Sequence, residues 1–427
     1  MRRIAGLFPV ALALAAQSGA AIGQTSMAAG KPEAALWSAA QASKADALDL
    51  LKSVVVIDSG SDNPQGATEV ENIFAGRLRA LGAEIRTVPT EQAGYADAVV
   101  ATLHGTGKGR ILIIAHVDTV FSRGAAAKRG FSVGEDGRAR GPGVGDEKGG
   151  DVCAIEALTL LKSLGFRRYA SVTVLLDTSE ESGSPSTMKL IAALAKDADV
   201  EFNMEPGPPV GPNDGIDVWR KGATAIVITV RGKAAHSGMA PEDGRNAATE
   251  LVHQLWVLHD AFPLSGEEAT VNLTLMKGGE RDNIIPAFAQ ANLDVRFRTD
   301  AQFDAILAKV KQSAKTTVVP DVKVEVSGEG SFPPLFIDPV GKALTAQAQA
   351  VYREIGRTLE THGTGGASES ALAQAVGAPA LDGLGFVGGD FHTDKEWIDT
   401  NSIPARIYLT ARLIEILGET PPAKPRS

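Results

Sequence analysis

Three short apolar runs in the first half of the chain each close on a histidine or an acid. Ile111–Ala115 leads into His116-Val117-Asp118, Ser171–Asp177 (SVTVLLD) leads to Glu180-Glu181, and Val200–Met204 ends at Glu205-Pro206. Runs of this length, rich in β-branched residues and bounded by turns, have the character of strands buried on both faces. Helical patterns at Asp151–Leu164 and Ser186–Lys196 separate them. Strand, acid and helix in repetition specify an α/β fold. The expected core is a mixed, mostly parallel sheet with helices on both faces and functional groups at the strand C-termini.

The pattern changes near Val218. Strands at Ala223–Arg231, Thr270–Met276, Ala289–Arg298 and Val322–Val326 alternate with helices at Arg245–Phe262 and Asp300–Ala314. Strand–helix–strand–strand–helix–strand is the ferredoxin-like order. This α+β segment, 218–330, is expected to be inserted into a first domain formed by 28–217 and 331–419. Helices are expected at Asp338–Ile355, Glu369–Val376 and Ile403–Leu417, and Phe121–Ala139 reads as loop or hairpin.

Composition narrows the function. Apolar residues make up 44% of the 427, which is ample for a large core, and the net charge is −9 with no block of Lys or Arg. A basic footprint is the first requirement for nucleic-acid binding, so that class is disfavoured. Residues 1–23 read as a secretory signal: Arg2 and Arg3, then apolar Ile4–Ala16, then small residues up to a cut near Gly23-Gln24. The mature protein is expected to be periplasmic or secreted, without stable membrane association. Cys153 is the only cysteine, so no intramolecular disulfide forms; among Val152, Ala154 and Ile155 it reads as a buried structural thiol.

The strand-end groups converge on a metal site. Asp146 sits in Gly141–Gly150 (GPGVGDEKGG), where glycines let the backbone turn tightly and aim a carboxylate. Taken singly, His116 reads as a core histidine, Glu180-Glu181 as an acidic helix start, and Glu205 and His392 as loop residues. Five such readings at successive strand ends are less plausible than one site. Two neighbouring divalent cations need a shared anion, and a bridging Asp146 gives each cation three protein ligands and an open position, the mark of a catalytic centre. Adjacent side chains diverge, so Glu181 is assigned as ligand and Glu180 as general base. Asp118 accepts from the His116 ring nitrogen that faces away from the metal. Zinc suits this nitrogen and carboxylate set, with cobalt or manganese as alternatives.

Several stretches together resemble a known family: IIAHVDTVF, GPGVGDEKGG, LLDTSEESGS, NMEPG, RGKAAHSG, RDNIIPA, GGDFHTDKEWID and IPARIYLTARLI. The chain is similar, over about residues 105–417, to the dizinc metallopeptidases that include glutamate carboxypeptidase, aminoacylase and succinyl-diaminopimelate desuccinylase. The resemblance is strongest to bacterial secreted glutamate carboxypeptidases. It implies two zinc ions per subunit, one held by His116, Asp146 and Glu205, the other by Asp146, Glu181 and His392. It also implies a cis peptide at Asp146–Glu147. Glu180 would deprotonate the attacking water and return the proton to the leaving amine. His236, the family's lid histidine, would stabilise the oxyanion and in dimeric members reaches the partner's site. Asn283 and Arg296 would contact the substrate carboxylate, and the inserted segment would pair two chains.

Two departures bear on substrate. The family's Gly-Gly-Ser/Thr-Asp loop is here Gly365-Gly366-Ala367-Ser368-Glu369, one methylene longer at its acid. Glutamate-preferring members carry arginines after the last strand of the insertion, whereas this chain has VSGEGSFPP, with Glu329 and no Arg. A carboxypeptidase of broader or more apolar taste is therefore expected. An N-acyl amino acid deacylase is the alternative within the same chemistry, and a non-catalytic peptide-binding protein is the alternative outside it. The retained base Glu180 argues against the last.

Overall fold

A computed structural model describes residues 33–90, 92–259, 261–263 and 268–423. The secretory signal expected at 1–23 lies outside the described residues. Among them, no helix is long and apolar enough to cross a membrane.

The strands that position the site are β1 (Glu84–Val88), β2 (Ala98–His104), β3 (Arg110–His116), β4 (Ser171–Asp177), β5 (Val200–Asn203) and the short β12 (Ala380–Leu381). They form one sheet in the order β1-β2-β4-β3-β5-β12. Pairing is antiparallel from β1 to β4 and parallel from β4 to β12, so the sheet is mixed, as expected. The alternation along β3 explains its continuous apolar run. Ile111, Ile113 and Ala115 face one core, whereas Leu112 and Ile114 face another. Each fully buried branched side chain contributes about 1.5–3 kcal/mol. The first core is closed by α1 (Ala34–Ala42), α2 (Lys44–Val55), α3 (Pro64–Ala80), α4 (Lys148–Ser163), α8 (Pro339–Glu354) and α10 (Ile403–Glu419). The second is closed by α5 (Met188–Asp197) and α9 (Ser370–Ala375).

Glycine permits the closest approach. A Cβ on Gly150, in the first turn of α4, would sit 1.9 Å from the carbonyl oxygen of Met204. The helix that follows Asp146 can therefore lie directly against the chain entering Glu205. Within Phe121–Ala139 the structure has a short helix, Ala125–Arg129, and Ser132–Val133 then pairs with Arg138–Arg140 as a small hairpin.

A second sheet contains β7 (Gly222–Arg231), β8 (Thr270–Gly278), β9 (Phe288–Phe297) and β10 (Lys323–Phe332), ordered β8-β9-β7-β10 and antiparallel throughout. The helices α6 (Ala247–His259) and α7 (Asp300–Ser313) cover it and share its core with Ile226, Ile228, Val230, Leu293 and Val295. Two strands missing from the sequence reading pair beside the cavity: β6 (Asn213–Arg220) and β11 (Leu359–Thr364), parallel to each other.

Candidate metal centre

The strand ends meet as the repeated pattern requires. His116 closes β3, opposite Asp177 of β4 in the parallel register, and Val117 N–H donates to the Asp177 carbonyl. The chain then turns through Thr178 and Ser179 to Glu180 and Glu181. Asp118 fixes that turn: its Oδ1 accepts from Glu180 N at 3.1 Å and its Oδ2 from Glu181 N at 3.2 Å. The His116 Nδ1 faces the Asp118 carbonyl oxygen at 3.1 Å and the carboxylate Oδ1 at 3.4 Å. One acid thus orients both the histidine and the adjacent glutamates, while His116 Nε2 is left facing the carboxylates of Asp146 and Glu205.

Asp146 stands between two histidines. Its Oδ1 lies 3.3 Å from His116 Nε2 and its Oδ2 lies 3.1 Å from His392 Nε2. Glu181 Oε2 is 3.1 Å from the same His392 nitrogen, and Glu205 Oε1 is 3.7 Å from His116 Nε2. His392 has φ of 63°, a left-handed conformation uncommon outside glycine. Such an outlier at a convergence of ligand atoms points to a functional constraint. The Asp146–Glu147 peptide is cis.

Two acids that the sequence reading left without a role belong to this centre. Glu147 accepts from His116 N–H at 3.0 Å through Oε1, and its Oε2 lies 3.8 Å from His116 Nε2. Ligand atoms of His116, Glu147 and Glu205 gather in one group, and those of Asp146, Glu181 and His392 in a second. Glu396 binds the glycine-rich turn itself. Its carboxylate accepts from the N–H groups of Gly143 (3.0 Å), Gly145 (2.9 Å) and Asp146 (3.0 Å). The His392 loop and the Asp146 loop are stapled together by that side chain. Its sequence signal was its place four residues after His392 in the same motif.

The electrostatics favour a cation. Burial works against charge on His116, yet Glu147, Asp118, Asp146 and Glu205 raise its pKa well above the usual value. Asp146 and Glu181 push His392 up to about 11. Burial and crowding by Glu205, Glu181 and Asp146 lift Glu180 well above the carboxylate range, and burial with Asp146 beside it carries Glu181 to about 7. A field that draws protons onto imidazoles and carboxylates equally draws metal ions. The donor set fits a divalent pair, because His116 Nε2, Asp146 Oδ1, Glu147 Oε2 and Glu181 Oε1 are buried without hydrogen-bond partners.

These groups open onto a cavity of about 760 Å³ lined by Asp146, Glu180, Glu181, Glu205, His392 and, on its other walls, by residues of β6, β7, β9 and β11. Arg296 lines it, with its Nε and Nη2 on the Asp294 carboxylate at 3.0–3.3 Å. His236 and Asn283 do not line it; both are exposed, and they sit together where Ser237 N–H donates to the Asn283 carbonyl. The His236 Nδ1 accepts from Gly238 and Met239 N–H at 3.2 Å, leaving Nε2 as a donor. Glu329 pairs with Ala225 in the second sheet.

Comparison with known proteins agrees with this geometry. The family model described as peptidase family M20/M25/M40 matches residues 112–416. The chain is 34% identical over 412 residues to carboxypeptidase G2 of Pseudomonas sp. (strain RS-16), covering 95% of this chain and 96% of that protein. It is 27% identical to the succinyl-diaminopimelate desuccinylase of Gluconobacter oxydans (strain 621H), covering 85% and 94%. A metallo-carboxypeptidase of the M20 family from Sulfolobus solfataricus shares the fold, with a TM-score of 0.69 at 18% identity over 87% of this chain and 99% of that one.

Proposed function

This chain belongs to peptidase family M20/M25/M40, and we propose that it is a zinc-dependent carboxypeptidase, hydrolysing the amide bond that joins a C-terminal amino acid to the rest of its substrate. The observation that carries this reading is Asp146, whose two oxygens face two different histidines, with Glu180, an acid outside both ligand groups, on the same cavity. His116, Asp146 and Glu205 would hold one zinc, and Asp146, Glu181 and His392 the other, with Glu147 within reach of the first. Bound there, the pair supplies Lewis-acid polarisation of the scissile carbonyl and acidifies water.

The chain's own groups do the rest. Glu180 takes the proton of the attacking water and delivers it to the leaving amine. Asp118 keeps the His116 ring and the Glu180 backbone in one geometry. Arg296, on the cavity wall, retains Nη1 for a substrate carboxylate while Asp294 holds its other face. A deacylase acting on N-acyl amino acids is the second reading, favoured by the similarity to a desuccinylase. The same groups would serve it, with recognition moved to the acyl side.

We further propose that residues 218–330 act as a lid and dimerisation domain. Trp256 on α6 and Leu273 on β8 line one apolar groove and are 76% and 50% exposed, Met276 on the same strand is 58% exposed, and β8 is an edge of its sheet. Pairing of two chains through this face would remove an exposed apolar edge. It would also bring His236 and Asn283 to the partner's cavity, where His236 Nε2–H would stabilise the oxyanion. The N-terminal residues 1–23 support export, so the site of action is periplasmic or extracellular.

The test combines metal analysis with hydrolysis of a panel of N-acyl amino acids and dipeptides by the wild type and Glu180→Gln. Two zinc ions per chain in both proteins are expected, with kcat lower in the variant by roughly 10²–10⁴. Unchanged turnover in Glu180→Gln would remove Glu180 from the mechanism. Zinc-loaded wild type that hydrolyses none of the panel would overturn the peptidase reading.

A further inference from the structure

The cavity is strongly acidic. Asp146, Glu180, Glu181, Glu205, Asp217 and Asp294 all line it. A substrate bearing a carboxylate meets this field and needs a cationic donor besides the metals. Two arginines stand on the wall. Arg220 is buried among Glu205, Asp217 and Asp382, and Arg296 has Nε and Nη2 on Asp294, which leaves it Nη1 alone for a carboxylate. His362, on β11, differs from both. Its side chain is 40% exposed, its Nδ1 lies 2.7 Å from Asp217 Oδ1, and its Nε2 has no hydrogen-bond partner among the described residues.

A ring held through Nδ1 by a carboxylate keeps its proton on that nitrogen. Nε2 then donates whenever the ring is charged. The hydrogen bond to Asp217 raises the imidazole pKa, with Arg220 acting in opposition; both facing charges come from β6. The ring is also linked to the metal ligands. Contacts of 2.7, 3.2 and 3.3 Å run from His362 to Asp217, to Arg220 and to Glu205.

We propose that His362 is a specificity-determining residue that receives a carboxylate of the substrate on Nε2. It thereby supplies the positive charge that the stretch after β10 lacks. This inference rests on the reading of the cavity as a site for amino-acid amides. The partner group is either the terminal carboxylate or an acidic side chain, and the chemistry of recognition is the same.

The test measures binding, so it does not depend on turnover. Calorimetry with the zinc-loaded Glu180→Gln protein compares N-benzoyl-leucine, N-benzoyl-glutamate and N-benzoyl-leucinamide, with and without His362→Gln. A lost charge-assisted hydrogen bond should weaken binding roughly ten- to a hundredfold. That loss is expected for the carboxylates and not for leucinamide. Loss confined to N-benzoyl-glutamate assigns the side-chain carboxylate; loss for both acids assigns the terminal one. The affinity for the acids should also fall as pH rises through the imidazole pKa, with the dependence absent in His362→Gln. Equal loss for leucinamide, or no loss for either acid, would overturn the proposal. Failure of the peptidase reading would show separately, as binding without hydrolysis by the wild type.

Discussion

Nη2 of Arg220 lies 3.3 Å from Oε2 of Glu205, and both side chains are more than nine-tenths buried. The same nitrogen contacts Asp382 at 2.9 Å and Asp217 at 3.2 Å. Removing this cation would leave three buried carboxylates facing one another, a change that costs about 3–5 kcal/mol. Arg220→Met should therefore lower stability and weaken metal retention roughly 10–100-fold, the usual range when the support behind a ligand is lost. Competition against a chelator measures it. Arg220→Lys restores the charge without the planar fork and should fall between the two. Chelator competition unchanged in Arg220→Met would show that Glu205 is held by other means.

Glu71 on α3 gives the fold a pH signature separate from the metal ligands. Burial, opposed by a backbone hydrogen bond from Val99 and reinforced by Asp177, Asp151 and Asp97, pushes its carboxyl up to about 9. The folded chain then keeps a proton that the unfolded chain releases near 4.5. More protons bound in the native state means that stability falls as pH rises between those values, by at most about 1.4 kcal/mol per pH unit. Glu71→Gln removes this dependence. Urea unfolding should show the variant gaining on the wild type from pH 5 to pH 8, and a constant difference would contradict it.

Cys153 is fully buried on α4, and burial pushes its thiol up to about 12. A disulfide reagent needs the thiolate and access to it. Native protein should react many times more slowly than protein in guanidinium, which should label one thiol per chain. Native labelling at the rate of a free thiol would place Cys153 in an accessible pocket.

The apolar face of α6 and β8 predicts an effect on assembly. Leu273→Glu and Trp256→Glu introduce charge where Leu273 and Trp256 are exposed in a single chain, away from the metal-site cavity. Sedimentation should show wild-type dimers and variant monomers with unchanged secondary structure. If the dimer brings His236 to the partner's cavity, the monomers should also lose kcat while retaining both metals.

Of the five ligands proposed from sequence, His116, Glu181 and Glu205 could be placed because each follows a buried strand, whereas Asp146 and His392 stand in turns; β4 was read to the residue as Ser171–Asp177. The strands flanking the cavity were not. Leu359–Thr364 (LETHGT) and Asn213–Arg220 (NDGIDVWR) carry few apolar residues, because side chains of both face a polar cavity. Arg220, His362 and Glu396 act through partners 15, 145 and about 250 positions away, which spacing in the sequence does not reveal. His236 and Asn283 were read from resemblance, and within one chain they lie apart from the ligands.

The chain leaves the first sheet region after Arg220 and returns at Leu335, and these two residues exchange backbone hydrogen bonds of 3.1 Å in both directions. The intervening hundred-odd residues are therefore a closed excursion whose ends already touch. Lengthening or replacing that excursion changes little in the entropy of closing the surrounding chain. Evolution can exchange the cavity's second wall as a cassette, leaving the metal ligands on their own scaffold. Because Arg220 is itself the rung at which the excursion begins, any such exchange is registered one contact away from Glu205.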